Sequence, residues 1–428
     1  MQRTYTDELS GHVGRRVRLA GWLHHQRRLS RLTFLLLRDV RGLAQIVVDG
    51  EPPHWHAETV LEVEGTVVAI EQAPGGIELH DPEIRVVSPA VEPPPVELRR
   101  PRLKEQLATI LDHAPVALRH PRERAKLRIA AASIAGFRGA LDRLGFVEIQ
   151  TPKLVGAATE GGANVFAVDY FGRKAYLAQS PQLYKQILVG VFERVYTTGP
   201  AFRAEPHDTG RHLAEYVSLD AELGFVRDHR DVMRVARDTV AGMTDAVRDR
   251  AADAVALLDV DVPQVPAEIP SLDFVEAQEA IERATGEPVV GEPDFAPAHE
   301  RWLGEWVRAE HGSEFLFVTG YPMEKRPFYT YPDPERPAFS RGFDLLFRGL
   351  EIVTGGQRLH RHEDYVAALD ERGLDAAPFA GYLEAFRHGM PPHGGFALGL
   401  ERWAARLVGA ANVRETALFP RDRSRLLP

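Results

Sequence analysis

Charged side chains crowd one turn of the chain between two apolar stretches. They stand in the string GPAFRAEPHDTGRHLAEYVSLDAEL and are Arg203, Glu205, His207, Arg211 and His212. On the returning stretch, Asp220 and Glu222 alternate with apolar residues, so both face one side of a strand. This density of arginine and histidine suits an anionic ligand, alone or with a metal, because guanidinium forks bind phosphate and carboxylate at two points. A hairpin whose charged side chains are simply exposed to solvent, with no ligand, would show the same pattern.

The glycine-rich string GGFALGLERWAARL, Gly394–Leu407, is a second candidate. Its glycines lead into an amphipathic helix that we predict to begin near Arg402. Glycines before a helix allow either close packing of the backbone or binding of a nucleotide at the helix start. The string alone leaves both uses open.

The elements that must position these residues fall into two regions. In the first region, short stretches rich in β-branched or alternating residues are separated by Gly, Pro or charged turns: Val17–Leu23, Leu32–Asp39, Leu43–Asp49, Val60–Glu71 and Ile77–Val87. These strands predict an all-β OB-fold barrel over residues 1–98. The string VEPPPVELRRP interrupts the pattern because stacked prolines cannot join a ladder, and we assign residues 99–121 to a linker or hinge.

Residues 122–428 mix helices and strands without a regular βαβ alternation. We predict helices at Arg122–Leu144, Asp231–Leu258 and Asp273–Ala284. We predict strands at Arg194–Thr198, Tyr216–Phe225, Phe315–Thr319 and Gly342–Ile352. This arrangement predicts an α+β domain built on an antiparallel sheet.

Composition excludes several classes of function. The 428 residues contain no cysteine, which excludes disulfides, thiolate metal sites and a cysteine nucleophile. No apolar stretch reaches the roughly 18 residues of a membrane helix and the start is polar, so we expect a cytoplasmic protein. The formal net charge is −9, yet Arg15–Arg41 holds eight arginines and one acid. That stretch is either a basic face for nucleic acid or a solvated edge.

Three strings resemble the signature motifs of the class II aminoacyl-tRNA synthetases. TPKL at Thr151–Leu154 is similar to motif 1, FRAE with RHLAEY to motif 2, and GLERW to motif 3. The strings QSPQLYKQ, RPFYT, GLEIVTGGQRLH and LFPRD are similar to the aspartyl-tRNA synthetases of the compact archaeal and eukaryotic type, which lack the bacterial insertion domain. The resemblance implies a class II catalytic domain that activates L-aspartate with ATP and transfers it to tRNA(Asp).

The resemblance also implies an ATP site. Arg203 matches the arginine that bridges the α-phosphate and the substrate carboxylate, and Arg402 matches the one at the γ-phosphate end. His212 would meet the triphosphate tail, Tyr216 would cover the adenine, and Glu205 would contact its amino group. The chemistry needs fixed cations because an anionic acid must attack a phosphate. Arg203, Arg402 and His212 are the expected catalytic residues.

Glu351 and Thr354 match the family's magnesium-binding pair, so Mg²⁺ is the expected metal. The family more often has serine at the second place. Motif 3 has Ala397 where a glycine is common. The string LDHAPVALR also departs from the Asn-Arg-containing hinge of the family, at His113, Ala114 and Ala117.

Specificity for aspartate requires positive charge aimed at the side-chain carboxylate. Lys185 and Arg358 match the family residues in this role, with Asp220 ordering the lysine. Gln182 and Glu160 match residues near the α-amino end, and Glu160 stands in ATEGGANVF, which resembles the family's mobile flap.

In the barrel, Phe34 matches the aromatic on which an anticodon base stacks, Gln45 the reader of the central uridine, and Glu78 the contact to the first base. His24 and Pro74 stand where relaxed enzymes of this type tend to have histidine and proline, and discriminating ones tryptophan and lysine. The two tRNAs differ at the third anticodon base, and proline offers no donor to read it. We therefore expect charging of both tRNA(Asp) and tRNA(Asn), and a functional link to an Asp-tRNA(Asn) amidotransferase.

Motif 1 with Pro152 implies a homodimer, since in this class that helix and strand form the subunit interface. Two alternatives stay open: an asparaginyl-tRNA synthetase and a non-catalytic tRNA-binding paralogue. The first conflicts with Lys185, because an ammonium favours a carboxylate over a neutral amide. The second conflicts with the presence of Arg203, Glu351, Arg358 and Arg402.

Overall fold

The chain forms two compact units, Met1–Pro121 and the residues from Arg122 onward. The computed structural model describes residues 1–156, 164–206 and 209–427. The predicted binding residue Glu160 and the charged-turn residue His207 lie outside these described ranges.

A closed barrel of antiparallel and parallel strand pairs forms the first unit. Its strands are β1 (Arg16–Arg28), β2 (Leu32–Arg38), β3 (Leu43–Asp49), β4 (Val60–Ala69) and β5 (Ile77–Ser88). They close in the order β1-β2-β3-β5-β4. Alternate side chains point inward and form the core, which includes Leu19, Leu35, Ile46, Val63 and Leu79. The predicted all-β barrel is confirmed, and the remaining alternate positions form its outer face.

Two short helices follow the proline-rich string in the same unit. They are α1 (Leu107–Asp112) and α2 (Ala114–Ala117). Val96, Leu98 and Ala117 are buried against one another, so this part of the chain has a small core of its own. Short 3-10 helices lie at Thr6–His12 and Pro74–Gly76.

The second unit is α+β. Its strands are β6 (Val147–Glu148), β7 (Leu154–Val155), β8 (Ala167–Tyr170), β9 (Arg173–Leu177), β10 (Arg194–Phe202), β11 (Glu215–Gly224), β12 (Ser271–Asp273), β13 (Phe315–Thr319), β14 (Gly342–Phe347), β15 (Leu350–Gln357) and β16 (His393–Gly399). Its helices are α3 (Pro121–Arg143), α4 (Gln182–Phe192), α5 (His229–Arg250), α6 (Ala252–Leu258), α7 (Phe274–Thr285), α8 (Pro297–His311), α9 (His362–Glu371), α10 (Ala380–Arg387) and α11 (Leu400–Leu407). Further 3-10 helices lie at Met323–Lys325, Ala377–Phe379 and Val413–Glu415.

An eight-stranded sheet organises this unit, in the order β12-β13-β14-β15-β16-β11-β10-β6. Its inner strands are antiparallel, and only the edge strands β6 and β12 run parallel to their neighbours among the described residues. Side chains of the sheet and of α3, α5 and α11 share one core, which includes Phe137, Val240, Phe347, Phe396 and Trp403. The predicted α+β domain on an antiparallel sheet is confirmed.

The prediction of a single strand over Gly342–Ile352 is wrong. β14 and β15 form a hairpin joined by Arg348 and Gly349, whose φ angles are 48° and 71°. Two successive residues with positive φ make a tight turn that matches the twist of the strands. The apolar pattern continues through this turn, which is why it predicted one strand. The hairpin pairs Asp344 with Thr354 on neighbouring strands.

The single helix predicted over Asp231–Leu258 is also wrong. Two helices, α5 and α6, meet at Ala251, whose φ is −130°. By contrast, Asp273 caps α7 together with Glu276, as the capping-box pattern indicates. Within the described part of the chain, none of the helices combines the length and the apolar character needed to cross a membrane.

Candidate active site and anticodon-binding face

The charged turn of motif 2 connects β10 and β11. Arg203 continues the ladder, since its backbone N–H donates to Ala214 O at 2.9 Å, and its guanidinium lies 5.8 Å from the ring centre of Tyr216. Glu205 is within 3.9 Å of Arg203 and 3.3 Å of His212 Nε2. The antiparallel pairing therefore brings these four predicted residues to one end of the sheet.

Arg402 completes the pocket from the first turn of α11. Its Nη1 is 3.7 Å from Glu351 Oε1, and its Nε donates to Arg211 O at 3.4 Å. The lining of the pocket includes Arg203, Glu205, Arg211, His212, Tyr216, Glu351, Thr354, Ala397, Glu401 and Arg402. Its arginines suit a polyanion, and the ring of Tyr216 suits a planar base.

The residues expected to bind metal lie on one side of this pocket. Thr354 Oγ1 donates to Glu351 Oε1 at 2.9 Å. Asp344, which the sequence reading missed, lies across the hairpin from Thr354, and Arg326 donates to it at 3.2 Å. Burial, opposed by Arg326 and reinforced by the charge of Glu351, raises the pKa of Asp344 to about 6.

This donor set fits a hard divalent cation, because it offers carboxylate and hydroxyl oxygens beside a polyanion pocket. Among the described residues, no group of three or more His, Asp or Glu side chains is arranged to hold a metal ion. A bound Mg²⁺ would therefore take further oxygens from water and substrate phosphate, as Mg²⁺ commonly does.

Lys185 lies at the centre of a second, closed cluster behind β11 and β16. The side chain is fully buried, and Nζ donates to Asp220 Oδ1 at 2.9 Å and to Phe396 O at 3.4 Å. Ser218 Oγ donates to the other oxygen of Asp220. Asp220 thus orders the lysine as the resemblance implies, while the ammonium itself is enclosed by protein groups.

Glu222 joins the two cations of this cluster, and the sequence reading assigned it no role. Its carboxylate accepts from Arg358 Nε at 3.0 Å and from Gln182 Nε2 at 3.2 Å, and it lies 3.4 Å from Lys185 Nζ. Burial raises the pKa of Glu222, but Arg358 and Lys185 outweigh burial and hold it below its ordinary value. The alternation of Asp220 and Glu222 in SLDAEL was the signal that could have identified it.

Arg358 is the most exposed of the four charged side chains of the cluster, although it is still largely buried, at 8% exposure. Its Nη2 donates to Gly395 O at 3.1 Å, and its guanidinium lies 5.4 Å from the ring centre of Tyr329. Nε and one N–H of Nη2 are engaged in this way, so the five-donor guanidinium keeps donors for a ligand.

The glycines of β16 serve close packing around this cluster. A Cβ on Gly395 would overlap the carboxylate of Glu222, and one on Gly394 would lie 2.6 Å from Gly356 O. Of the two uses left open by the sequence, packing therefore accounts for Gly394 and Gly395. Ala397, the residue that departs from the family, lines the nucleotide pocket instead.

A buried polar network supports the cluster from behind. Gln186 Nε2 donates to His393 Nε2 at 3.0 Å and to Tyr365 Oη at 2.9 Å, and Tyr382 Oη donates to Gln186 Oε1 at 3.0 Å. His393 Nδ1 donates to Pro391 O at 2.9 Å. Burial lowers the pKa of His393 to about 4, so the ring is neutral.

Four of the predicted anticodon residues, His24, Phe34, Gln45 and Glu78, lie on the outer face of the barrel. Phe34 is half-buried on β2, and Gln45 Nε2 on β3 donates to Glu78 Oε1 on β5 at 2.7 Å. Arg38 Nη1 donates to His24 Nδ1 at 3.5 Å, which leaves Nε2 of the neutral ring as a donor. Burial and then Arg38 lower the pKa of His24. Pro74 begins the 3-10 helix before β5, and its side chain lies outside the described part.

The arginines of Arg15–Arg41 do not form a continuous basic face. Carboxylates from distant parts of the unit pair with many of them, in the pairs Arg16–Glu83, Arg18–Glu62, Arg28–Glu51, Arg38–Glu58 and Arg41–Glu8. Arg27 instead lies over Phe34, 5.4 Å from the ring centre.

Two of the hinge residues that depart from the family pattern have a packing role, since Ala114 and Ala117 are buried.

Comparisons with known proteins agree with this geometry. Residues 106–423 match the family described as class II tRNA synthetases (D, K and N), and residues 17–87 match the OB-fold nucleic acid binding domain. The chain is 49% identical to an aspartate–tRNA(Asp/Asn) ligase of Thermus thermophilus, with 100% of both chains covered. It is 45% identical to the enzyme of the same name from Deinococcus radiodurans, covering 100% of this chain and 99% of that one.

Among solved structures, the fold is similar to asparaginyl-tRNA synthetase from Pyrococcus horikoshii in complex with asparaginyl-adenylate, with a TM-score of 0.93, 32% identity and full coverage of both chains. The predicted OB-fold and class II architecture are confirmed by these matches. From the full-length identity with the two ligases, the chain belongs to the aspartate–tRNA(Asp/Asn) ligase family of class II tRNA synthetases.

Proposed function

We propose that this protein attaches L-aspartate to tRNA(Asp) and tRNA(Asn) through an aspartyl-adenylate. The observation that carries the choice of amino acid is the buried pair of cations, Lys185 and Arg358, held in place by Asp220 and Glu222. Lys185 is enclosed by protein groups, so the donors left for a ligand are those of Arg358, which the interlocked charges hold in a fixed orientation.

In the first step, a carboxylate oxygen of aspartate attacks the α-phosphorus of ATP and pyrophosphate leaves. Arg203 neutralises the α-phosphate and orients the carboxylate, while Arg402 and His212 hold the departing phosphates. Tyr216 and Glu205 position the adenine. Mg²⁺ held by Glu351 and Thr354 would neutralise phosphate charge. In the second step, a hydroxyl of the terminal adenosine of tRNA attacks the activated carbonyl and AMP leaves.

Asparagine is the competing amino acid, because the solved structure of similar fold is an asparaginyl enzyme. Lysine and arginine are donors only, and a carboxylate is an acceptor at both of its oxygens. The amide of asparagine would turn an NH₂ group toward these donors. The pocket therefore favours aspartate, with Gln182 oriented by Glu222 near the α-amino end.

A non-catalytic tRNA-binding paralogue is the other alternative. Arg203, His212, Glu351 and Arg402 all line one pocket, an arrangement that a pure binding protein has no need to keep. The intact pocket supports a catalyst.

Relaxed choice of tRNA follows from His24 and Pro74. Nε2 of the neutral His24 ring is a hydrogen-bond donor. Cytosine and uracil both carry an O2 acceptor, so a hydrogen bond from Nε2 to O2 would not distinguish the two bases. Proline at position 74 adds no donor. Asp-tRNA(Asn) made in this way would need an amidotransferase before use in translation.

A homodimer is supported by exposed apolar side chains on the edge strand β6, at the end of α4 and just after β11. Val147 on the edge strand β6 is 40% exposed, and Phe192 and Phe225 are 46% and 71% exposed. Phe192 and Phe225 are the chain neighbours of Glu193 and Gly224, which are joined by a hydrogen bond from Gly224 N–H to Glu193 O. An open strand edge beside exposed aromatic rings suits a second copy of the chain.

The test is ATP–pyrophosphate exchange with each amino acid in turn. We expect exchange with aspartate alone, and exchange that requires Mg²⁺. Exchange with asparagine would establish the asparaginyl alternative, and no exchange with any amino acid would establish the non-catalytic one.

A further inference from the structure

Glu300 is a buried carboxylate next to the nucleotide pocket, on an element that carries none of the three motifs. It stands in the first turn of α8 and is 8% exposed. The neighbouring residue types in this helix gave no reason to assign it a role.

One oxygen of Glu300 joins the two walls of the pocket. Oε2 accepts from Arg211 Nη2 at 2.6 Å and from the backbone N–H of Glu351 at 3.0 Å. Arg211 belongs to the motif 2 turn and Glu351 to β15, so these partners lie on separate elements. Arg211 also lines the pocket, and its carbonyl accepts from Arg402.

α8 is held tightly against the hairpin that carries Glu351. Gly304 lies so close to the turn that an added Cβ would overlap Gly349, and a Cβ on Gly349 would lie 2.8 Å from Arg301 Cα. Leu303 and Val307 bury the inner face of the helix. Glu300 is therefore a fixed point rather than a mobile surface carboxylate.

We propose that Glu300 is a positioning residue for the triphosphate end of the nucleotide. It holds the guanidinium of Arg211 toward the pocket and fixes the backbone of the metal-binding residue Glu351. Its carboxylate lies close enough to that of Glu351 for the two charges to repel, and an ion pair that served only to fix Arg211 would not need to stand beside a second carboxylate. The inference rests on the proposed ATP site and adds Arg211 and Glu300 to it.

The test compares Glu300→Gln and Arg211→Gln with the control Glu305→Gln. Glu305 is an exposed glutamate one turn further along the same helix. Binding of ATP with Mg²⁺ in the absence of amino acid is measured by calorimetry, and binding of aspartate alone is measured in parallel. Glutamine keeps an acceptor for the N–H of Glu351 and removes the charge that orients Arg211.

We expect Glu300→Gln and Arg211→Gln each to weaken ATP binding about tenfold, the scale of one charge-assisted hydrogen bond. Aspartate binding and the control should stay unchanged. In the double variant the losses should overlap, because both changes remove the same contact. If Glu300→Gln does not fold, Arg211→Gln alone decides, since its side chain is partly exposed.

Unchanged ATP binding in Arg211→Gln, equal weakening of ATP and aspartate, or additive losses in the double variant would each overturn the inference. A wild-type protein that binds no ATP would instead refute the proposed function.

Discussion

The proposed amino-acid site and the proposed anticodon-binding face differ in how firmly their ligand-selecting side chains are held. In the pocket, Lys185 and Glu222 are completely buried and joined to Asp220 and Arg358. On the barrel, Phe34, Gln45 and His24 are only half-buried. Charges in a dry, interlocked site penalise a wrong ligand strongly, whereas half-exposed groups let water satisfy a mismatched base.

The difference teaches why one enzyme can be strict toward its amino acid and tolerant toward its tRNA. Selection of aspartate uses charge and rigid donors, which cannot adapt to an amide. Selection of the third anticodon base would need a side chain that contacts an atom by which cytosine and uracil differ. Among the described residues of the face, His24 is the one assigned to this base, and its Nε2 donor suits the O2 acceptor that both bases carry. The following substitutions test the proposed amino-acid site and the proposed anticodon-binding face separately.

Arg358→Leu should have the largest effect. It removes the Arg358 donor from Glu222, which keeps Gln182 and Lys185, and it removes the cation that would pair with the substrate carboxylate. We therefore expect kcat/KM for aspartate activation to fall at least ~100-fold. Arg361→Leu, at an exposed arginine three residues away, should change little. Exchange kinetics measure both, and near-normal activity of Arg358→Leu would remove the basis for the assigned pocket.

His393 should make the support of the pocket sensitive to acid. Its pKa is about 4 in the folded state, below the ordinary 6.5, so the folded state prefers the neutral ring. The stability it contributes is complete above pH 6.5 and is lost as the pH falls toward 4, by roughly 2–3 kcal/mol at pH 4.5. Chemical unfolding of wild type and His393→Asn at pH 7.5 and 4.5 checks this. Equal losses in both proteins would contradict it.

Phe34→Ala should weaken the anticodon side alone. Loss of one stacked base costs about 1–3 kcal/mol, so kcat/KM for tRNA should fall roughly tenfold or more, equally for both tRNAs. Aspartate activation should not change, because it does not use the barrel. The exposed Val87→Ala is the matched control. An unaffected Phe34→Ala enzyme would show that the ring does not stack on a base.

Substitution of single arginines of the barrel should give the smallest effect, a change in the salt dependence of tRNA binding. The size of this change should distinguish arginines that pair with protein carboxylates from arginines that are available to RNA. Arg27→Ala should reduce the slope of log affinity for tRNA against log salt by about 0.7–0.9, the value for one phosphate contact. Arg16→Ala should leave the slope nearly unchanged, because Glu83 already pairs with Arg16 at 2.6 Å. The reverse order of the two slopes would show that ion pairing in the protein does not decide which arginine meets RNA.

The sequence predicted the sites better than it predicted their support. Motif 2 and motif 3 residues far apart in the chain converge on one pocket, and the barrel strands match closely, because alternation with clear turn residues is a strong local signal. The turn at Arg348 was missed because its apolar surroundings continue the strand pattern. Asp344 was missed because a lone acid in an apolar string carries no local sign of its partner, and Glu300 because its helix carries none of the motifs. Glu222 was given no role although its alternation with Asp220 was a usable signal.

Long-range pairing also explains why the sequence could not decide between a basic face and a solvated edge for Arg15–Arg41. The arginines of Arg15–Arg41 look unopposed along the chain, yet Glu62 on β4, Glu83 on β5 and Glu58 just before β4 pair with them once the barrel forms. Spacing in sequence cannot reveal such neighbours, since closure of the barrel brings them together.

Charging of purified tRNA(Asp) and tRNA(Asn) transcripts with labelled aspartate tests the central contrast most directly. Strict selection of aspartate with relaxed selection of tRNA predicts kcat/KM values for the two transcripts within about tenfold of each other, and no charging of either with asparagine. A value for tRNA(Asn) more than ~1,000-fold below that for tRNA(Asp), a gap of about 4 kcal/mol, would show that the anticodon face discriminates and would contradict the account.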